Sequence, residues 1–201
     1  MTDYYFTENP NAEHDEKHWS YELLGHKLNF ISDRGVFSKN TIDFGTRTLL
    51  EAIQIQDAGE KILDVGCGYG PIGISIAKSF PNAQVQMTDV NERALGLAKR
   101  NADSNGVEKQ TQIYKSDAYE EVKETDFTTI ISNPPVRAGK SVVETIIADA
   151  KQHLKQDGQL VIVLQKKQGA PSAKKLMNAT FGNVEVLKKN KGYYILRSAH
   201  E

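Results

Sequence analysis

The residues Asn133-Pro134-Pro135 follow an apolar run, Phe127 to Ser132. Two prolines there would serve as a stiff turn, but a turn leaves the asparagine and its place at a strand end unexplained. A chemical role accounts for both. The lone pair of an exocyclic amino nitrogen is delocalised into its base or amide, which makes it a poor nucleophile. Two acceptors aimed at its N–H groups draw the nitrogen toward tetrahedral geometry and free that pair. Asn133 can offer its side-chain oxygen, and Pro134 its carbonyl with no N–H of its own to compete. A methyl group on a sulfonium can then pass in line, with positioning supplying much of the rate. No Ser/His/Asp or Cys/His arrangement competes for the role. The scattered histidines and the single Cys67 form no metal site.

A second group of residues lies upstream. Asp64-Val65-Gly66-Cys67-Gly68-Tyr69-Gly70-Pro71-Ile72-Gly73 stands between an apolar strand and a helix start. Glycines let such a turn bend sharply and approach a ligand closely. Gly68-x-Gly70-x-x-Gly73 matches the dinucleotide fingerprint in form. Asp64-x-Gly66-x-Gly68-x-Gly70 equally fits a loop for a phosphate-free nucleoside. Asp64 weighs toward the second, because a carboxylate sits poorly beside a pyrophosphate and suits an ammonium group. Asp89 ends the next strand about twenty residues after the loop, where an acidic side chain can take two ribose hydroxyls. It serves either nucleotide, and on its own it would also serve as a helix N-cap. Asp117 follows the third strand and can accept an adenine amino group. Three carboxylates at three successive strand ends fit a ligand bound beyond the carboxyl edge of a sheet.

These residues need a frame, and the hydrophobic pattern supplies it. Strands are expected at Lys61 to Val65, Gln84 to Thr88, Thr111 to Lys115, Phe127 to Ser132, Leu160 to Leu164, Val184 to Leu187 and Tyr193 to Leu196. Helices are expected at Thr46 to Ile55, Pro71 to Ser79, Asn91 to Asn105, Ser141 to Leu154 and Ser172 to Thr180. Alternation of this kind gives an α/β fold with a mostly parallel sheet and helices on both faces. Asn190-Lys191-Gly192 reads as a tight turn, which reverses the chain and puts an antiparallel strand at or near one end. Ahead of this, Tyr21 to Leu24 and Lys27 to Ile31 read as a hairpin around Gly25-His26. The stretch to about Ser20, with Tyr4, Tyr5, Phe6 and Trp19, reads as a loosely ordered arm. The expected division is an arm and hairpin over 1–45 and a catalytic domain over 46–201.

Bulk composition bounds the rest. The chain has 201 residues, enough for one domain with a substantial core. The formal net charge of −1 hides a gradient: residues 1–50 carry −3, residues 51–150 carry −5 and residues 151–201 carry +7. A polyanion could therefore dock on one face. A lone cysteine allows no intrachain disulfide, which fits a reducing cytoplasm. The polar, acidic start is unlike a signal peptide. The longest apolar run, Leu160 to Leu164, is far too short to cross a bilayer.

Asp64-Val65-Gly66-Cys67-Gly68-Tyr69-Gly70 together with Asn133-Pro134-Pro135 resembles the class I S-adenosylmethionine-dependent amino-methyltransferases. Gly35-Val36-Phe37-Ser38, followed by Asp43, Gly45 and Thr46, narrows the likeness. It is similar to the segment ahead of the catalytic domain in the small-subunit ribosomal RNA guanine-N2 methyltransferases, in their single-domain bacterial form. The resemblance runs from about Tyr21 to the C-terminus. It implies a Rossmann-like fold with a seven-stranded sheet and an antiparallel C-terminal strand. It implies S-adenosylmethionine as cofactor and RNA, ribosomal RNA or a small ribosomal subunit, as partner. Phe37, Asp43, Asp64, Gly66, Cys67, Gly68, Asp89, Val90, Asp117, Ala118 and Asn133 would surround the cofactor. Asn133, Pro134 and Pro135 would hold the target nitrogen. Phe37, Val136, Arg137 and Lys140 would face the substrate, with Arg137 and Lys140 in reach of phosphate.

Two features depart from that family. Val136 stands where many relatives place a ring against the base. No second methyltransferase-like domain, as larger members carry, is visible in these 201 residues. Three competing readings follow. Asn-Pro-Pro would also activate a protein glutamine amide, although a ring at position 136 and a peptide-docking domain would belong to that reading. An RNA-binding protein that kept the fold and lost activity would not need Asp64, Asp89 and Asn133 intact. A nicotinamide-dependent oxidoreductase has no use for Asn-Pro-Pro.

Overall fold

A computed structural model describes residues 7–8, 13–38, 40–53 and 60–201. The expected aromatics Tyr4, Tyr5 and Phe6 lie outside the described residues. The chain opens with a hairpin of β1 (Lys17–Leu23) and β2 (His26–Ser32). Leu24 and Gly25 make its turn with φ values of 51° and 78°, the two left-handed positions that a tight hairpin with right-handed twist requires. The turn is thus one residue earlier than Gly25-His26. The hairpin is also longer than expected. Lys17 to Ser20 belong to β1 and not to a loose arm, because Trp19 packs on Phe30 at 5.3 Å and on Tyr69 at 5.9 Å.

The main sheet has seven strands: β3 (Lys61–Val65), β4 (Gln84–Asp89), β5 (Thr111–Lys115), β6 (Phe127–Ser132), β7 (Leu154–Gln165), β8 (Glu185–Asn190) and β9 (Tyr193–Ala199). Their order is β5-β4-β3-β6-β7-β9-β8. β5, β4, β3, β6 and β7 run parallel to their neighbours. β9 is antiparallel to both β7 and β8. The expected antiparallel C-terminal strand is therefore β9, one place in from the edge. The turn before it, at Lys191 and Gly192, again uses positive φ at both residues. The fold is the expected Rossmann-like one.

Among the described residues, five α-helices cover the sheet: α1 (Phe44–Ala52), α2 (Pro71–Ser79), α3 (Glu92–Ser104), α4 (Lys140–His153) and α5 (Ala170–Phe181). Alternation along the strands sorts side chains to opposite faces. Ile62, Val85, Met87, Ile131 and Val161 join α1, α2, α3 and the hairpin in one core. Leu63, Ile130, Leu160 and Ile162 join α4 and α5 in the other. Leu28 and Phe30 fasten the hairpin to the first core and are almost wholly buried. Burial of such a side chain contributes roughly 1.5–3 kcal/mol.

Three boundaries moved for local reasons. α1 starts at Phe44 and not Thr46, because the Asp43 carboxylate accepts the Thr46 N–H at 3.0 Å and caps it. It ends before the extended Ile53, and the last two residues of the expected helix, Gln54 and Ile55, lie outside the described residues. Leu154 leaves α4 and begins β7, which carries an irregularity before its regular run at Gln159. Among the described residues, no helix is long and apolar enough to cross a membrane.

Candidate active site

The strand order reverses between β3 and β6, since β4 lies to one side of β3 and β6 to the other. Such a switch point opens a crevice at the carboxyl ends of the strands. A cavity of about 680 Å³ lies there, a size suited to a nucleoside-sized ligand.

The glycine loop makes its floor. Gly66 and Cys67 donate their N–H groups to the Thr88 carbonyl at 2.8 and 2.9 Å, pinning the loop to β4. Gly68 has φ of 58°, and a Cβ there would meet no atom within 4 Å, so this backbone stands bare beside open space. Gly73, in the first turn of α2, serves a different need. A Cβ there would lie 2.7 Å from the Met87 sulfur, so only glycine lets α2 sit this close to β4.

Two carboxylates hold the loop. Asp89 Oδ2 accepts the Gly68 N–H at 2.8 Å and Oδ1 accepts the Asn91 N–H at 2.9 Å. Burial raises its pKa. Asp64 is wholly buried and does not reach the cavity wall. Its Oδ2 accepts the Gly73 N–H at 3.0 Å, while among the described residues Oδ1 has no hydrogen-bond partner. Burial first, and the nearby Asp89 charge after it, push Asp64 up to about 7 against the single backbone bond. When ionised, the unpartnered oxygen places negative potential beneath the loop, which favours a cationic ligand over a pyrophosphate. Burial likewise pushes the Cys67 thiol well up, so it stays neutral.

Asp117 and Ala118 close the β5 side of the cavity, with Ala118 in the left-handed region at φ 45°. Val90 and Phe37 also line it, Phe37 partly exposed at the mouth. Tyr69 ties the Phe37 segment down: its hydroxyl donates to the carbonyls of Ser38 at 3.1 Å and Thr41 at 3.4 Å.

The Asn-Pro-Pro segment ends β6 on the opposite wall. The Asn133 Nδ2 group donates to Asp43 Oδ1 at 3.2 Å and to Thr46 Oγ1 at 3.1 Å. A carboxylate only accepts, so nitrogen must face Asp43, and the amide oxygen is turned the other way. The Pro134 carbonyl accepts the Val136 N–H at 2.8 Å across Pro135, whose φ and ψ are −75° and 79°. This is an inverse γ-turn. It uses one lone pair of the carbonyl and leaves the other.

Val136 and Arg137 line the cavity from a short 3-10 turn. Lys140 does not; it stands on α4, paired with Glu144 at 3.1 Å. Of the expected site residues, only Asp64 and Lys140 are absent from the wall. Several wall residues carried no sequence signal of their own, among them Gln165, Gln168 and Tyr193. Tyr193 enters because position 45 is glycine: a Cβ there would lie 2.8 Å from the Tyr193 ring. A period-2 reading of β9 marks Tyr193 only as a strand residue.

The strand order, with the glycine loop and Asn133-Pro134-Pro135 on one cavity at the switch point, is the arrangement of a class I S-adenosylmethionine-dependent methyltransferase. The model of the methyltransferase small domain matches residues 27–197, and the chain belongs to that family. It is 45% identical to the Bacillus subtilis protein YbxB over 98% of each chain. It is 32% identical to the ribosomal RNA small subunit methyltransferase C of Vibrio vulnificus, over 91% of this chain and 53% of that one. A Thermus thermophilus 16S rRNA N2 G1207 methyltransferase, solved with AdoMet and guanosine, superposes with a TM-score of 0.82. It is 24% identical and covers 92% of this chain and 51% of its own. The chain thus spans nearly all of YbxB and about half of the ribosomal RNA methyltransferases it matches.

Proposed function

We propose that the protein methylates the exocyclic N2 amino group of a guanine in small-subunit ribosomal RNA. The observation that carries this reading is the Asn133 amide, held by its nitrogen so that its oxygen is the free end. Oδ1 of Asn133 and the remaining lone pair of the Pro134 carbonyl would accept the two amino protons. Pro135 would keep that carbonyl fixed. When bound, S-adenosylmethionine supplies a methyl group on a positively charged sulfur. Asp89 would take its ribose hydroxyls and Asp117 its adenine amino group. Phe37, Asp43, Gly66, Cys67, Gly68, Val90 and Ala118 would shape the pocket, and Asp64 would supply charge from beneath.

The ribosomal RNA reading draws on the relatives named above and on the charge of the cavity rim. Asp89 and Asp117 line one half. Arg137 lines the other, which Lys166, Lys167 and Lys191 flank in the chain beside Gln165, Gln168 and Tyr193. The Lys166 N–H donates to the Gly192 carbonyl at 2.8 Å, which brings the two lysine segments together. A polyanion would enter over that half. With valine at position 136, Tyr193 and Phe37 are rings of the described wall that would meet a base. Residues 1–45 would act as an extension that closes the cofactor side of a catalytic domain over 46–201.

The test uses purified protein, labelled S-adenosylmethionine and small ribosomal subunits or their naked RNA, followed by digestion and mass spectrometry. Label in N2-methylguanosine is expected. Label in a subunit protein's glutamine, with none in RNA, would replace this reading with the protein-amide one.

A further inference from the structure

We propose that Asp43 and Thr46 are positioning residues whose task is to fix which end of the Asn133 amide faces the reacting nitrogen. The inference rests on the amino-acceptor reading above and goes beyond it. The two ends of a primary amide are nearly equal in size, so packing alone hardly distinguishes them; hydrogen-bond partners must. A flipped Asn133 would present NH2 to an amino group that also only donates, and the site would fail.

The helix start solves this. Asp43 Oδ1 accepts both the Thr46 N–H at 3.0 Å, as cap of α1, and the Asn133 N–H at 3.2 Å. The cap fixes the carboxylate, and the fixed carboxylate repels an amide oxygen. Thr46 Oγ1 takes an Asn133 N–H at 3.1 Å from a buried position. A hydroxyl could serve either end of an amide, so Asp43 sets the orientation and Thr46 completes it. The lock spans about ninety residues of sequence, linking the segment ahead of β3 to the end of β6.

Three variants separate this from simple structural support. Asp43→Gly keeps a tolerated helix start but removes the acceptor. Thr46→Val removes the second acceptor and keeps the shape. Asp43→Asn restores an oxygen that the Thr46 N–H would hold in place, so the lock should persist. The first readout is NMR of the Asn133 side-chain NH2 pair, assigned by its loss in Asn133→Ala. Its exchange with water should be on the order of tenfold or more slower in the wild type and Asp43→Asn than in Asp43→Gly, with Thr46→Val between. Equal exchange in the wild type, Asp43→Gly and Thr46→Val would overturn the proposal. The second readout is turnover of small-subunit ribosomal RNA. Asp43→Gly should lose roughly tenfold to a hundredfold in kcat, read at saturating S-adenosylmethionine because Asp43 also lines the pocket, with no added loss on top of Asn133→Ala. A kcat that holds in Asp43→Gly while Asn133→Ala is inactive defeats the positioning role alone. Full activity of Asn133→Ala defeats the amino-acceptor reading, and the exchange measurement still decides the orientation.

Discussion

At the scale of single residues, the proposed function gives Asn133 and Asp64 different work, and they should fail differently. Asn133 lines the cavity with its amide nitrogen held by Asp43 and Thr46, so in the proposed reading its loss should be felt in turnover. Asn133→Ala is expected to bind S-adenosylmethionine within a few-fold of the wild type by calorimetry, while kcat falls about a hundredfold or more. Parallel losses in binding and turnover would place its role in the cofactor site. Asp64 meets no ligand-facing surface, and its effect runs through charge. Its pKa is raised from the ordinary carboxylate range to about 7. In the unliganded protein its contribution to stability is fully present below about pH 4 and is lost as pH climbs to about 7. Denaturant unfolding between pH 5 and 8 should therefore show a fall in stability that Asp64→Asn lacks. A cationic ligand prefers the ionised form, so wild-type affinity for S-adenosylmethionine should rise as pH passes 7. A flat affinity profile would show that Asp64 serves α2 alone. Both residues were legible in the sequence from type and strand-end position. That Asp64 sits behind the wall was not, because spacing gives the strand end and not the side to which a side chain turns.

At the scale of elements, the hairpin is joined to the rest of the fold by Asn101 on α3 and by Asn105, which caps that helix's C-terminus. Asn105 accepts the Asn29 N–H at 2.9 Å and donates to its carbonyl at 2.7 Å. Asn101 does the same for Ile31, at 2.7 and 2.9 Å. Four helical residues rise about 6.0 Å and two strand residues about 6.8 Å, so the spacings agree and each amide takes the part of a neighbouring strand. This pairs the edge of β2 without another strand. Asn101 also donates to the Tyr69 carbonyl at 2.9 Å, inside the glycine loop. Asn101→Ala should thus cost about 2 kcal/mol or more in chemical denaturation, because it strands buried backbone groups, and should weaken cofactor binding as well. Loss of stability with unchanged binding would uncouple the hairpin from the loop. Sequence periodicity found α3 and β2 separately. Their joint was invisible, since it depends on a docking between residues about seventy positions apart. The early start of β1 was missed for a related reason: Trp19 is explained by Phe30 and Tyr69, neither of which is its sequence neighbour. Asp33 gives the hairpin a second tie, accepting the Asp15 N–H at 2.6 Å and the Arg34 N–H at 2.7 Å. Burial pushes its pKa up, but these bonds and the His14 contact outweigh it and leave it lowered. Its share of stability is present above the usual carboxylate range and lost in stronger acid.

At the scale of the molecule, charge is sorted around one opening. The half lined by Asp89 and Asp117 is acidic, and the lysines of the +7 segment approach the other half through the end of β7 and the β8–β9 turn. The gradient was legible from composition, and its placement needed the sheet order. Each phosphate neutralised by a lysine releases counterions, so the salt dependence of RNA binding counts such contacts. Replacing Lys166, Lys167 and Lys191 by Gln should lower the slope of log affinity against log salt by about 2 for single-stranded RNA. An unchanged slope, measured by fluorescence anisotropy, would move the RNA path off this rim. The central claim, that the amino group methylated is N2 of a guanine in small-subunit ribosomal RNA, is tested most directly in the cell. Nucleoside mass spectrometry of that RNA from a strain deleted for this chain should show the loss of one N2-methylguanosine, restored by the wild type and not by Asn133→Ala. An RNA profile unchanged by the deletion would contradict the account.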